Sequence, residues 1–143
     1  MVNLFMDTIF LSVLLAGIIS QLAKIIISKF KHKKRFNLNY LFITGGMPST
    51  HSSLVGSLIT IIWLTQGATP LFFVILTFSS IILMDSVGIR RSVGEEGKAI
   101  EEIIKIGKME VDKFNYALGH NFIEMLVGLV VGISSAIFIY NLF

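Results

Sequence analysis

Four long apolar runs limit what this chain can fold into more than any other feature of its sequence. They cover about residues 4–28, 51–65, 71–89 and 122–142. A helix rises about 1.5 Å per residue, so about 20 apolar residues match a hydrocarbon core of roughly 30 Å. The second run is the shortest. The composition agrees: 54% of the 143 residues are hydrophobic, and the mean hydropathy is +0.81. A soluble globule does not carry that balance. The expected fold class is all-α, an integral membrane helical bundle of about four transmembrane helices plus an interfacial amphipathic helix. The whole chain, 1–143, is one membrane domain. The first run is not read as a cleaved signal peptide, because it lacks a basic leader and carries Gln21 and Lys24 where small residues should precede cleavage.

Charge placement sets the expected topology. Lys29, Lys31, Lys33, Lys34 and Arg35 follow the first run, and Arg90, Arg91, Lys98, Lys105, Lys108 and Lys113 lie between the third and fourth. With Lys24, near the end of the first run, these are all the lysines and arginines of the chain. Basic residues in short loops stay in the cytoplasm, which places both basic loops inside and both termini outside a cell membrane. The Lys29–Arg35 cluster suits orientation and attraction of anionic headgroups, and it is assigned no chemistry. The cations accompany membrane spans without aromatic interleaving, so no nucleic-acid partner is expected. Cysteine is absent, which removes disulfide and thiolate chemistry.

Between the runs, residues 37–50 read as a short interfacial or re-entrant segment, and Gln66 to Pro70 as a tight turn. From Gly94 to Phe114, isoleucines at near-helical spacing and a Glu101–Lys105 pair read as an amphipathic surface helix without catalytic residues.

Three constellations can carry chemistry. The first is Gly45-Gly46-Met47-Pro48-Ser49-Thr50-His51-Ser52-Ser53, where a loop enters the second run. Free amides at a helix start, with Ser49 and Thr50 hydroxyls beside them, make an anion site, and His51 would stand next to a bound phosphate. Ser49 and Thr50 read equally well as helix caps. The second is Gly119-His120-Asn121-Phe122-Ile123-Glu124. His120 and Glu124 are four apart, a spacing that on a helix lets the carboxylate orient the imidazole. Gly128 and Gly132 continue that face, so another helix can approach closely and turn both side chains into the bundle. The same stripe would equally suit a homodimer. The third is Asp85 to Gly94, where Arg90 and Arg91 offer planar forks to phosphate and Asp85 can hold one of them. Lys24, on a stripe with Gly17 and Gln21, either snorkels to the headgroups or reaches the same cavity.

Under the expected topology, Lys24, His51, Asp85, Arg90, Arg91, His120 and Glu124 all fall near the cytoplasmic interface, from four different runs. Two histidines, a carboxylate behind one of them and several cations suit phosphoryl transfer through a covalent phosphohistidine. At these residues the chain resembles the type 2 phosphatidic acid phosphatase superfamily, which includes vanadium haloperoxidases, and specifically its small divergent membrane branch. Pro48-Ser49-Thr50-His51 resembles the superfamily's Pro-Ser-Gly-His motif with Thr50 for glycine. His120 and Glu124 resemble its His-x3-Asp element with glutamate for aspartate. The resemblance covers nearly the whole chain and implies His120 as nucleophile, Glu124 as its orienting partner, His51 as the acid for the leaving oxygen, and Ser49 and Thr50 as phosphate ligands. The arginine expected six residues before the nucleophile is absent, Phe114 standing there, and Arg90 or Arg91 is expected to substitute.

The expectation is a phosphatase for a phospholipid or polyprenyl phosphate, monoester or diphosphate, with no metal or cofactor because the histidine route needs none. Two other readings use the same residues: a non-catalytic membrane protein that binds anionic headgroups, and a small transporter or flippase component. A metal held by His51, Asp85, His120 and Glu124 is a further alternative.

Overall fold

The computed structural model describes residues 2–32, 46–109, 111 and 119–143, apart from the side chains of 2–6, 28 and 31–32. Within these lie five helices: α1 Val2–His32, α2 Thr50–Gln66, α3 Pro70–Val87, α4 Ile89–Ile106 and α5 Phe122–Leu142. Three are long and apolar enough to cross a membrane: α1, the α3 part of the run 70–106, and α5. The second expected span, α2, has 17 residues and is the interior helix, packed by α1, α3 and α5.

Small residues explain why α2 can sit inside. In lipid the hydrophobic effect gives helices no reason to associate, so close backbone approach must supply the contact. Ser49, at the cap of α2, with Ser53 and Ser57 along it, repeats every four residues. Gly128, Gly132 and the buried Ala136 do the same on α5. A Cβ on Gly128 would strike the Ser49 carbonyl, and one on Gly132 the Ser53 carbonyl. The glycines are therefore the condition for this seam. On α1 a third stripe with the same spacing is buried: Thr8, Ser12, Ala16, Ser20 and Lys24.

Hydroxyls in such a bundle need partners, since lipid offers none. Several bond back to their own helix: Ser12 to the Thr8 carbonyl at 2.8 Å, Thr60 to Gly56 at 2.7 Å, Ser135 to Val131 at 2.8 Å. Away from the loops that carry the histidines, Ile61, Ile62, Phe72 and Ala136 form an apolar core, with the Trp63 and Phe72 rings 5.0 Å apart. The expected turn is there: Gly67 ends α2 at φ 70°, Thr69 caps α3 and Pro70 opens it.

The amphipathic helix begins earlier than its isoleucine pattern suggests. It starts at Ile89, directly after the Gly88 break, and stops at Ile106 against Gly107. Arg90 and Arg91 thus lie on α4, and Val111 lies beyond its end. Ile89, Val93, Ile100, Ile103 and Ile106 are exposed along α4, and Glu101 pairs with Lys105 at 2.7 Å. Most of the expected interfacial segment 37–50, and Phe114, lie outside the described residues.

Candidate functional site

The entry to α5 is organised around one carboxylate. Asn121 caps the helix: its side-chain oxygen accepts the Glu124 amide at 2.8 Å, while Glu124 Oε2 accepts the Asn121 amide at 3.1 Å. This reciprocal capping box satisfies two amides the helix cannot satisfy itself. The same Oε2 lies 3.2 Å from His120 Nδ1. His120 therefore precedes the cap and is not on the helix. Its contact with Glu124 comes from the capping geometry, and not from one helical turn as the spacing suggested.

His120 is 6% exposed and is fixed from its backbone as well. Its amide donates to the Ser86 carbonyl at the end of α3, at 3.2 Å. The preceding Gly119 lies so close to the Arg90–Arg91 backbone that a Cβ would collide with it. Burial lowers the His120 pKa from its ordinary 6.5, while hydrogen bonds that the ring donates to the Glu124 carboxylate and the Gly46 carbonyl oppose the shift. The neutral imidazole is favoured. With a carboxylate on the Nδ1 side, the neutral ring carries its proton there and its lone pair on Nε2.

The start of α2 packs against this unit. Gly46 takes a positive φ of 83°, and the Ser49 amide donates to the Glu124 carbonyl at 3.0 Å. Ser49 is fully buried as the cap of α2: its hydroxyl receives the Ser52 amide at 3.4 Å and the Ser52 hydroxyl at 3.0 Å. Pro48 consequently stands just before the cap. Thr50 donates to Gln21 Oε1 of α1 at 3.2 Å. Among the described residues the Thr50 and His51 amides have no hydrogen-bond partner, and His51 is exposed beside them.

Cations close the arrangement. Arg90 Nε donates to Asp85 Oδ2 at 2.6 Å, which leaves the other nitrogens of the guanidinium outside that contact. Arg91 turns away to Glu95 at 3.0 Å on the exposed surface of α4. Lys24, only 8% exposed, ends the buried stripe of α1 and feels the Glu124 carboxylate. It points into the bundle, whereas Gly17 and Gln21 occupy the neighbouring edge of α1 that faces Leu54. His51 lies within electrostatic reach of Arg90, His120, Lys24 and Asp85. One end of the bundle thus gathers two histidines, two carboxylates and two cations from all five helices or their caps. Among the described residues no three potential metal-ligating His, Cys, Asp or Glu side chains converge.

Two contributors carry no chemical signal in the sequence. Ser86 acts through its backbone carbonyl, and its buried hydroxyl has no partner among the described residues. Gly119 acts by lacking a side chain. Only the proximity of Ser86 to Asp85 could have drawn attention to that position.

A family model described as the divergent PAP2 family matches residues 5–135. An uncharacterized membrane protein of Bacillus subtilis (strain 168), YuiD, is 32% identical over 139 aligned positions, covering 86% of this chain and 87% of that protein. No solved structure matches significantly.

Proposed function

Because the chain belongs to the divergent PAP2 family, we propose that it is a membrane phosphohydrolase releasing phosphate from a lipid-linked monoester or diphosphate at the cytoplasmic face. The observation that carries this reading is the buried His120 imidazole, held at Nδ1 by Glu124.

In the first half-reaction Nε2 of His120 attacks phosphorus and the bond to the lipid oxygen breaks. That oxygen takes a proton from the His51 imidazolium. Glu124 offsets the positive charge that develops on the His120 ring, the role such a carboxylate plays behind a nucleophilic or basic histidine. Water then gives a proton to His51 as its oxygen attacks phosphorus. The nitrogen–phosphorus bond breaks, phosphate leaves, and both histidines return to their starting state. Phosphate oxygens are held by Arg90, Lys24 and the amides of Thr50 and His51, donors placed where charge accumulates. Ser49 contributes by capping α2 and so fixing those amides, and Arg91 by adding positive field. The residues in these roles supply the chemistry without a metal or cofactor.

Phosphate release by the purified, detergent-solubilised protein tests the reading. The panel is phosphatidate, phosphatidylglycerophosphate and polyprenyl mono- and diphosphates, with and without chelator. Turnover is expected on at least one substrate, resistant to chelator and lost in His120→Ala. Turnover retained by that variant sinks the phosphohistidine route. The pairing of Arg91 with Glu95 and the burial of Ser49 leave fewer phosphate ligands than the sequence offers, which favours a second reading as a binder of anionic headgroups. Silence across the panel, with vesicle binding lost in Arg90→Ala, would select it.

A further inference from the structure

A groove of about 370 Å³ lies on the lipid-facing side of the α1–α2 contact. It is lined by Phe10, Val13, Leu14, Gly17 and Ile18 of α1 and Leu54 of α2, and its one polar lining residue is Gln21. That volume falls within the roughly 300–1,000 Å³ of small-ligand sites. From Phe10 to Gln21 the helix rises about 16 Å, close to half of a hydrocarbon core of roughly 30 Å. The groove therefore runs for about the depth of one leaflet.

Its polar end meets the site already described. Gln21 accepts the Thr50 hydroxyl at 3.2 Å, and Thr50 adjoins His51 at the start of α2. The opposite end is apolar, with Phe10 exposed. Gly17 keeps the groove open: a Cβ there would lie 3.2 Å from Leu54 Cδ2. A larger side chain would fill the space between the helices.

We propose that this groove holds one hydrocarbon chain, acyl or prenyl, of the lipid phosphate whose headgroup lies at Thr50–His51. The proposal rests on the phosphate assignment above and adds a chain-recognition site to it. A molecule with its phosphate among the cations and a chain running down one leaflet passes Gln21 and enters the groove. A short-chain phosphate reaches the same headgroup ligands but gains nothing from α1.

The test uses a long-chain alkyl phosphonate with a photoreactive diazirine at the end of its chain. Its phosphorus–carbon bond resists hydrolysis, so binding is read whether or not the protein turns lipids over. Adducts on the wild-type protein are expected between Phe10 and Ile18 and at Leu54. An unlabelled alkyl phosphonate should compete for them, and the alcohol of equal length should not. Gly17→Leu should lower this labelling at least fivefold at an unchanged helical content, and Gly17→Ala should lower it less. An isoprenoid phosphonate run beside the alkyl one tells a prenyl from an acyl preference. Labelling spread over α3 and α5 in proportion to their lipid exposure would overturn the proposal. So would oxidative dimerisation of Leu14→Cys, in this cysteine-free chain, because a second copy would then fill the groove. Groove labelling by a protein that hydrolyses nothing would overturn the phosphatase reading alone.

Discussion

A single oxygen of Glu124 serves both fold and proposed chemistry. It closes the capping box with Asn121 and holds His120 at Nδ1. Glu124→Gln keeps the shape but removes the charge that balances a phosphorylated imidazole. A fall in kcat of about 10²–10⁴-fold is expected, with little change in KM, in the range typical of a positioned acid–base partner. Steady-state kinetics on any substrate found in the panel will show it. Burial lowers the pKa of His120 below 6.5, so the neutral nucleophile persists as the pH falls through that value. The acid limb of kcat/KM is expected below pH 6.5. Stability has the same sign: the unfolded chain binds the proton more readily, so the contribution of His120 is full above 6.5 and declines as the pH falls below it. A rate already falling as the pH drops toward 7.5 would contradict the buried neutral imidazole. The spacing of His120 and Glu124 was visible in the sequence. Their geometry was not, because the same spacing arises from a turn of helix and from a residue placed before a capping box.

At the scale of elements, the seam between α2 and α5 depends on carbonyl oxygens meeting bare Cα atoms. Gly132→Leu has nowhere to put its Cβ, since the opposing atoms are the backbone of Ser53 and Ser57 and cannot rotate away. Overpacking of this kind costs about 1–3 kcal/mol or more. The variant is expected to unfold at lower temperature in detergent and to lose function with fold. Gly119→Ala separates the two effects. Its Cβ would strike the Arg90–Arg91 backbone, where α3 passes into α4, and not the α2–α5 seam. Activity is expected to drop at least tenfold with a much smaller change in melting temperature, because a shift of about 1 Å at a nucleophile costs up to 10²-fold. Equal losses of stability in both variants would remove this distinction. The glycine stripe of α5 could be read from spacing alone. Its partner could not: Ser49 read equally as a phosphate ligand and as a helix cap, and nothing in the sequence marked Ser53 and Ser57 as the surface that meets those glycines. The start of α4 was hidden for another reason. Val87 and Ile89 flank Gly88, so hydropathy falls only at Arg90 and Arg91, after the chain has already broken.

The whole molecule places its chemistry at one end by a simple device. An antiparallel bundle brings the late turns of α1 and α3 next to the starts of α2 and α5, which is where Lys24, Asp85, Thr50, His51 and His120 lie. Residues scattered over a hundred positions thus converge, and that convergence was legible because span order and charge asymmetry together dictate it. The direction in which this end faces is a separate matter, carried by the positive-inside rule alone. The chain has no cysteine, so single replacements report on it cleanly. In intact cells a membrane-impermeant thiol reagent should label Ala68→Cys, in the α2–α3 turn, and spare Lys98→Cys, on α4, until the membrane is permeabilised. The reverse pattern would put the histidines outside. The proposed hydrolysis would then draw on lipid phosphates of the outer leaflet, and the basic residues of α4 would lie on the side that the rule disfavours. Labelling of Ala68→Cys alone would put the histidines inside, and the proposed hydrolysis would then draw on lipid phosphates of the inner leaflet and release phosphate into the cytoplasm.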